Sequence, residues 1–215
     1  MGVVCVYLYP VPEGKSGQQV VDTLQRQTEQ LGAVKAGNFC VDCETFQSTF
    51  QQGAQQKQLS ILHNSEYPAT CFAILDSGTS LVADDLFDGL VQKLKNYYQQ
   101  RKGFKIESKG QRYELGDFVI KIGSVTLTSN FKGILVEVEY CPCVVPNDCW
   151  NLMKELLQSI LGSSITDNPP SYLKSKMDSL YTTTDTMSQY LEHFNNIRKS
   201  ASTTGSTTPP TMISR

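Results

Sequence analysis

Any chemistry in this chain has to come from a short set of residues: the run around Asp76, seven cysteines and two histidines. Ile74-Leu75-Asp76-Ser77-Gly78-Thr79-Ser80 has the form of the catalytic turn of pepsin-like aspartic proteases, where two carboxylates share a proton over one water. The chain carries one copy, so that chemistry requires a homodimer pairing two Asp76 side chains. Asp-Ser-Gly between strands is also a plain turn, which is the simpler explanation. Cys40 and Cys43 have a metal-like spacing that Cys141, Cys143 and Cys149 would extend to four ligands. An alternating strand, however, points Cys40 and Cys43 to opposite faces. His63 and His193 belong to no compact ligand cluster in the sequence, so no metal is expected.

The remaining catalytic patterns are missing. Cys-x-x-Cys lacks the strand-to-helix placement that activates a redox thiol, and neither histidine has a legible triad partner. The glycines form neither a phosphate loop nor a dinucleotide fingerprint, so no cofactor is expected. Arg101-Lys102 and Arg198-Lys199 are short basic pairs of the kind that cover helix ends. With 19 basic against 21 acidic residues, a net charge of −2 gives no sign of a nucleic-acid partner. No apolar run approaches the roughly 20 residues of a membrane span. Met1 to Tyr9 is apolar but lacks a basic leader and reads as a strand. An odd number of cysteines over 215 residues points to a reducing compartment rather than a disulfide framework.

The elements that would position these residues are largely strands. Phe39–Phe46, Leu59–His63, Thr70–Leu75 and Thr79–Ala83 read as strands, and the Gln-rich 47–57 stretch as a loop. Further strands are expected at Phe104–Glu107, Arg112–Leu115, Phe118–Ile122, Val125–Thr128 and Ile134–Tyr140. In the last, Ile134, Val136, Val138 and Tyr140 form an apolar face, with Leu135, Glu137 and Glu139 opposite, as in a half-buried antiparallel strand. Helices are expected near Ser16–Leu31, with Val20, Val21, Leu24, Thr28 and Leu31 on one face, and from Asp84 or Asp85 to Gly103. Another starts at Asn147 or Asp148 and stops near Gly162, and a terminal one runs from Thr184 or Asp185 to Lys199. Gly32 to Gly37 reads as a loop. The fold class is therefore α+β: a mainly antiparallel open or incomplete β-barrel with flanking amphipathic helices. Residues 1–199 are expected to form one domain, with a flexible connection at 163–171 and a disordered tail at 200–215.

With catalytic machinery missing, aromatic and apolar residues on helices become the candidate partner-binding set: Tyr97, Tyr98, Trp150, Tyr190, Leu191, Phe194 and Ile197. The same residues are equally suited to packing back on the sheet.

Several stretches together resemble a known family. Met1-Gly2-Val3, Glu13-Gly14-Lys15-Ser16, Phe39-Cys40-Val41-Asp42-Cys43-Glu44-Thr45, His63-Asn64-Ser65-Glu66-Tyr67-Pro68 and Cys141-Pro142-Cys143-Val144-Val145, with Asp148-Cys149-Trp150, are similar to subunit 20 of Mediator. Asp185-Thr186-Met187, Gln189-Tyr190 and Phe194-Asn195 continue the likeness. The resemblance implies a nuclear, non-enzymatic coactivator subunit of the Mediator head module with an incomplete barrel. It also implies direct pairing with Mediator subunit 18, attachment through subunit 8, and coupling to the RNA polymerase II machinery. A protein-binding module outside transcription and an Asp76 homodimer are the alternatives.

Overall fold

The computed structural model describes residues 2–49, 57–101 and 103–203. Among them, nine strands form one antiparallel sheet: β1 Val3–Tyr9, β2 Val34–Ser48, β3 Gln58–Asn64, β4 Thr70–Leu75, β5 Ser80–Asp84, β6 Tyr98–Gln100, β7 Ile106–Leu115, β8 Phe118–Leu127 and β9 Asn130–Tyr140. The spatial order is β1-β9-β8-β7-β2-β3-β4-β5, with β6 pairing the C-terminal end of β2. Since β1 and β5 do not pair with each other, the sheet stays open. The expected α+β architecture, an unclosed antiparallel wall flanked by helices, is what the chain adopts.

The helices are α1 Gly17–Gln30, α2 Phe87–Lys93, α3 Pro146–Leu161, α4 Ser171–Lys174 and α5 Thr183–Thr203. Ser16 starts α1 with a capping box: its hydroxyl accepts from Gln19 N while the Gln19 side chain accepts from Ser16 N. Val20, Val21, Leu24 and Thr28 point inward. Leu31, expected on that face, is the exposed C-cap residue instead. In α3 the start falls at Pro146, ahead of the expected Asn147 or Asp148, because proline suits the first helical position, where its missing N–H costs nothing. Gly162 ends α3 at φ 66°.

Residues directly opposite in an antiparallel ladder share a face, so the register sorts the sheet into two sides. Cys5, Val138, Ile120 and Tyr113 lie together on one side, and Val6, Glu137, Lys121 and Arg112 on the other. Helices α1 and α3 cover the first: the Tyr113 hydroxyl donates to Glu29 of α1, and the Tyr7 hydroxyl to the Ser164 carbonyl just after α3. On that same side, farther along the sheet, α2 lays Val91 on Phe46, Leu59, Ile61, Cys71 and Ala73. The second side is crossed by α5, with Tyr190 bonded to Glu137 and Arg198 to the Cys43 carbonyl.

Coverage on both sides corrects the half-buried reading of 134–140. Ile134 to Val138 are all buried, Glu137 included, because that strand is sandwiched between helices. The separate strands expected on either side of Gly110 and Gly123 are single long ones. These two glycines face each other, and a Cβ on Gly123 would sit 2.6 Å from Phe39 Cζ, so here glycine marks close approach rather than a break. Two loop and helix expectations also change. Val34 and Lys35 already pair with β7, with a bulge before Asn38. The helix expected to continue to Gly103 stops at Lys93, and Tyr98 to Gln100 pair with β2 as a strand. After α3 a short 3-10 turn at Gly162–Ser164 leads into the segment 163–171, whose Asp167 carbonyl accepts from Trp150 Nε1 at 3.3 Å. The expected tail begins within α5, which runs to Thr203; residues 204–215, like 50–56 of the Gln-rich loop, lie outside the described residues.

Candidate functional site

An open sheet has two edges, each a row of backbone N–H and C=O groups that seek partners. The β1 edge is closed from within. Gln189 of α5 accepts from Val6 N at 3.0 Å and donates to the Val4 carbonyl at 2.9 Å, and His193 Nε2 lies 3.1 Å from the Val6 carbonyl. Burial lowers the His193 pKa, so the ring is neutral and donates one proton there. Two side chains thus substitute for a neighbouring strand.

The β5 edge is different. Among the described residues no strand pairs its outer side. Leu81 is 51% and Val82 52% exposed, on opposite faces of the strand. The chain continues into α2, where Val91 faces the sheet while Leu86 (76% exposed), Leu90 and Leu94 face outward, followed by exposed Tyr97. Single exposed apolar residues are ordinary, but a run of them beside an open edge makes this the candidate interaction surface.

The other predicted partner residues are placed elsewhere. Tyr190 and Phe194 are fully buried and Ile197 nearly so, Leu191 is half-buried against the same core, and Trp150 is buried under 163–171. These belong to the core because α5 lies across the sheet rather than projecting from it. Tyr98 is half-buried beside Val91 and Phe46. Tyr97 alone of the seven is exposed.

A buried ion network fastens α5 to the sheet. Lys121 Nζ contacts Glu137 at 2.8 Å and Glu66 at 2.5 Å, Arg112 reaches the other oxygen of Glu66 at 3.0 Å, and the Tyr190 hydroxyl donates to Glu137 at 2.6 Å. Burial lowers the Lys121 pKa, but Glu137 and Glu66 outweigh it and the net direction is up. Glu66 brings in the 64–69 turn, so the network ties one loop, three strands and a helix.

Asp76 sits exposed in the β4–β5 hairpin. Its carboxylate accepts from Gln58 N at 3.2 Å, and Gly78 turns the chain at φ 86°. Cys40 and Cys43 do point to opposite sides, and all seven cysteines are free. Burial pushes the Cys5 and Cys149 thiols up to about 12, which removes them as nucleophiles. His63, expected to stand outside any ligand cluster, instead meets Asp42, Cys71 and Asp88. Its Nδ1 is 3.2 Å from Asp42 and its Nε2 2.9 Å from Asp88. The hydrogen bond to Asp42, with help from Cys71 and Asp88, raises its pKa to about 10 against the opposing effect of burial. Sequence reasoning missed this group because its members are far apart in the chain, and missed the β5 edge because burial of an edge is not a periodic property.

Residues 1–195 match the family described as "TATA-binding related factor (TRF) of subunit 20 of Mediator complex". The chain belongs to the Mediator subunit 20 family. Mediator of RNA polymerase II transcription subunit 20 from Gallus gallus is 52% identical over 202 residues, covering 93% of this chain and 95% of the relative. The Homo sapiens protein of the same name is 50% identical over 203 residues with the same coverage. A solved Schizosaccharomyces pombe Mediator head module contains a chain with 11% identity and a TM-score of 0.36, covering 73% of this chain and 94% of that one. Membership makes this a non-enzymatic coactivator protein of transcription. The exposed Asp76 hairpin is thus a turn and not half of a proteolytic dyad.

Proposed function

We propose that the chain is a nuclear scaffold subunit of the Mediator head module. It pairs directly with subunit 18 through the β5 edge and the Leu86, Leu90 and Tyr97 surface, is joined to the head with subunit 8, and helps couple regulators to RNA polymerase II preinitiation assembly. The observation that carries this reading is the contrast between the two edges: α5 satisfies β1, while among the described residues no strand pairs the outer side of β5, which carries two half-exposed aliphatic side chains. Main-chain pairing along such an edge supplies affinity, and alternate side chains supply specificity. Tyr97 adds aromatic contact area of the type that dominates interface energetics.

The experiment is co-purification of the full chain with subunits 18 and 8, followed by size-exclusion chromatography with light scattering. A stoichiometric complex that is lost with Leu81→Lys/Val82→Lys, while the isolated variant melts like wild type, supports both the partner and the edge. Retention of the complex by the double variant overturns the edge, and a chain indifferent to both subunits overturns the pairing.

A further inference from the structure

Beyond partner docking, we infer that His63, Cys71 and Asp88 form a binding site for a divalent transition-metal ion of the zinc class, with Asp42 positioning His63. The three ligands come from three elements, β3, β4 and α2, and their donor atoms all lie within 4.8 Å of one another. His63 Nε2 is 2.9 Å from Asp88 Oδ2, and Cys71 Sγ is 3.8 Å from Asp88 Oδ1. In a tetrahedral zinc site, metal–ligand bonds of about 2.0–2.3 Å place ligand atoms roughly 3.3–3.7 Å apart. The two separations, to different oxygens of Asp88, lie just below and just above that range, and rotation of the Asp88 side chain closes the site around one of its oxygens.

Two features single out this group from chance proximity. The ring nitrogen that is not a ligand, Nδ1, faces Asp42 Oδ1 at 3.2 Å. A carboxylate on the far nitrogen is the arrangement that orients metal-bound histidines and raises their basicity. Burial is also graded: Cys71 is fully enclosed, whereas His63 and Asp88 are about one third open. A soft thiolate is thereby shielded, and the open side leaves a fourth position for water or a donor from a partner. One thiolate, one imidazole and one carboxylate favour zinc over magnesium or calcium, which prefer oxygen ligands. Binding releases the protons on Nε2 and Sγ and replaces the His63–Asp88 ion pair with two bonds through the metal. It would fasten α2 to β3 and β4, and so set the position of the apolar surface on the outer side of α2.

The test uses the isolated full chain, stripped of metal and titrated with Co2+ as spectroscopic probe and with Zn2+ against a chromophoric chelator. One equivalent of Co2+ giving tetrahedral visible bands and a thiolate charge-transfer band is expected. Cys71→Ser should abolish the charge-transfer band, and Cys141→Ser, at the exposed cysteine, should leave it intact. Asp42→Asn should keep the band but weaken Zn2+ about 10–100-fold, the usual cost of a lost outer partner. If Cys71→Ser fails to fold, Asp88→Asn decides, with loss of tight Zn2+ binding expected. No charge-transfer band in wild type, a band that follows Cys141 instead of Cys71, or unchanged Zn2+ affinity in both Asp42→Asn and Asp88→Asn overturns the site. Because no other subunit is present, a negative result here leaves the pairing with subunit 18 untouched.

Discussion

Lys121→Met tests whether the buried ion network holds α5 in place. In the wild type, Lys121 and Glu137 are each only 2% exposed and 2.8 Å apart, and Glu66 shares the ammonium. Removing the cation strands the Glu137 carboxylate in a dry environment with the Tyr190 hydroxyl as its remaining hydrogen-bond donor in the network. Breaking a buried pair in this way costs about 3–5 kcal/mol, more than the intact pair contributes, because the surviving charge has lost water without compensation. For a chain of this size each kcal/mol moves Tm by about 2–4 °C, so a fall of roughly 6–20 °C is expected in calorimetry. Adding Glu137→Gln removes the stranded charge while keeping an acceptor for Tyr190, and at least half of the loss should return. Glu66 remains paired with Arg112 throughout. A Tm within about 2 °C of wild type for the single variant, or a double variant no better than the single, would refute the account.

The remaining expectations follow from the same contacts. Phe194→Ala, at a fully buried position of α5, should lower stability by about 3–5 kcal/mol in denaturant unfolding, whereas Tyr97→Ala should stay within about 0.5 kcal/mol. Gln189→Ala should unmask the β1 edge, read as concentration-dependent association by light scattering in a chain that is otherwise monomeric at that concentration. Asp185 is raised by burial but lowered more strongly by Thr182, Tyr172 and Lys176, for a net depressed pKa. Its contribution is present above the ordinary carboxylate value of about 3.9 and is lost as pH falls through the lower folded value. Asp185→Asn should therefore be less stable than wild type at neutral pH, and the difference in urea midpoint should shrink on acidification. Gly123→Val, driven into Phe39, should lower Tm, whereas Gly89→Val, exposed on α2 with open space around it, should not.

Periodicity made most of the architecture legible. Alternation in 39–46, 118–122 and 134–140 marked strands, and the spacing of Leu152 to Leu161 marked α3, since side-chain direction follows directly from local backbone geometry. Boundaries failed where a residue had two meanings. The strands expected to end before Gly110 and Gly123 run on through them, and the missing side chains of these glycines are what let strands and Phe39 approach. Tyr97 and Tyr98 extended a helical stripe, but pairing of Tyr98–Gln100 with β2 overrode that local preference.

From residue order alone came the antiparallel α+β class, the lack of catalytic constellations and the resemblance to Mediator subunit 20. The three-dimensional arrangement decided which apolar stripe is core and which is surface: α5 is buried against Glu137 and Cys43, and β5 with the outer side of α2 is not. It also decided that His63, Cys71 and Asp88 meet. A sequence pattern records that a face is apolar or that a ligand is present, whereas what covers that face, or faces that ligand, is set by segments far away in the chain.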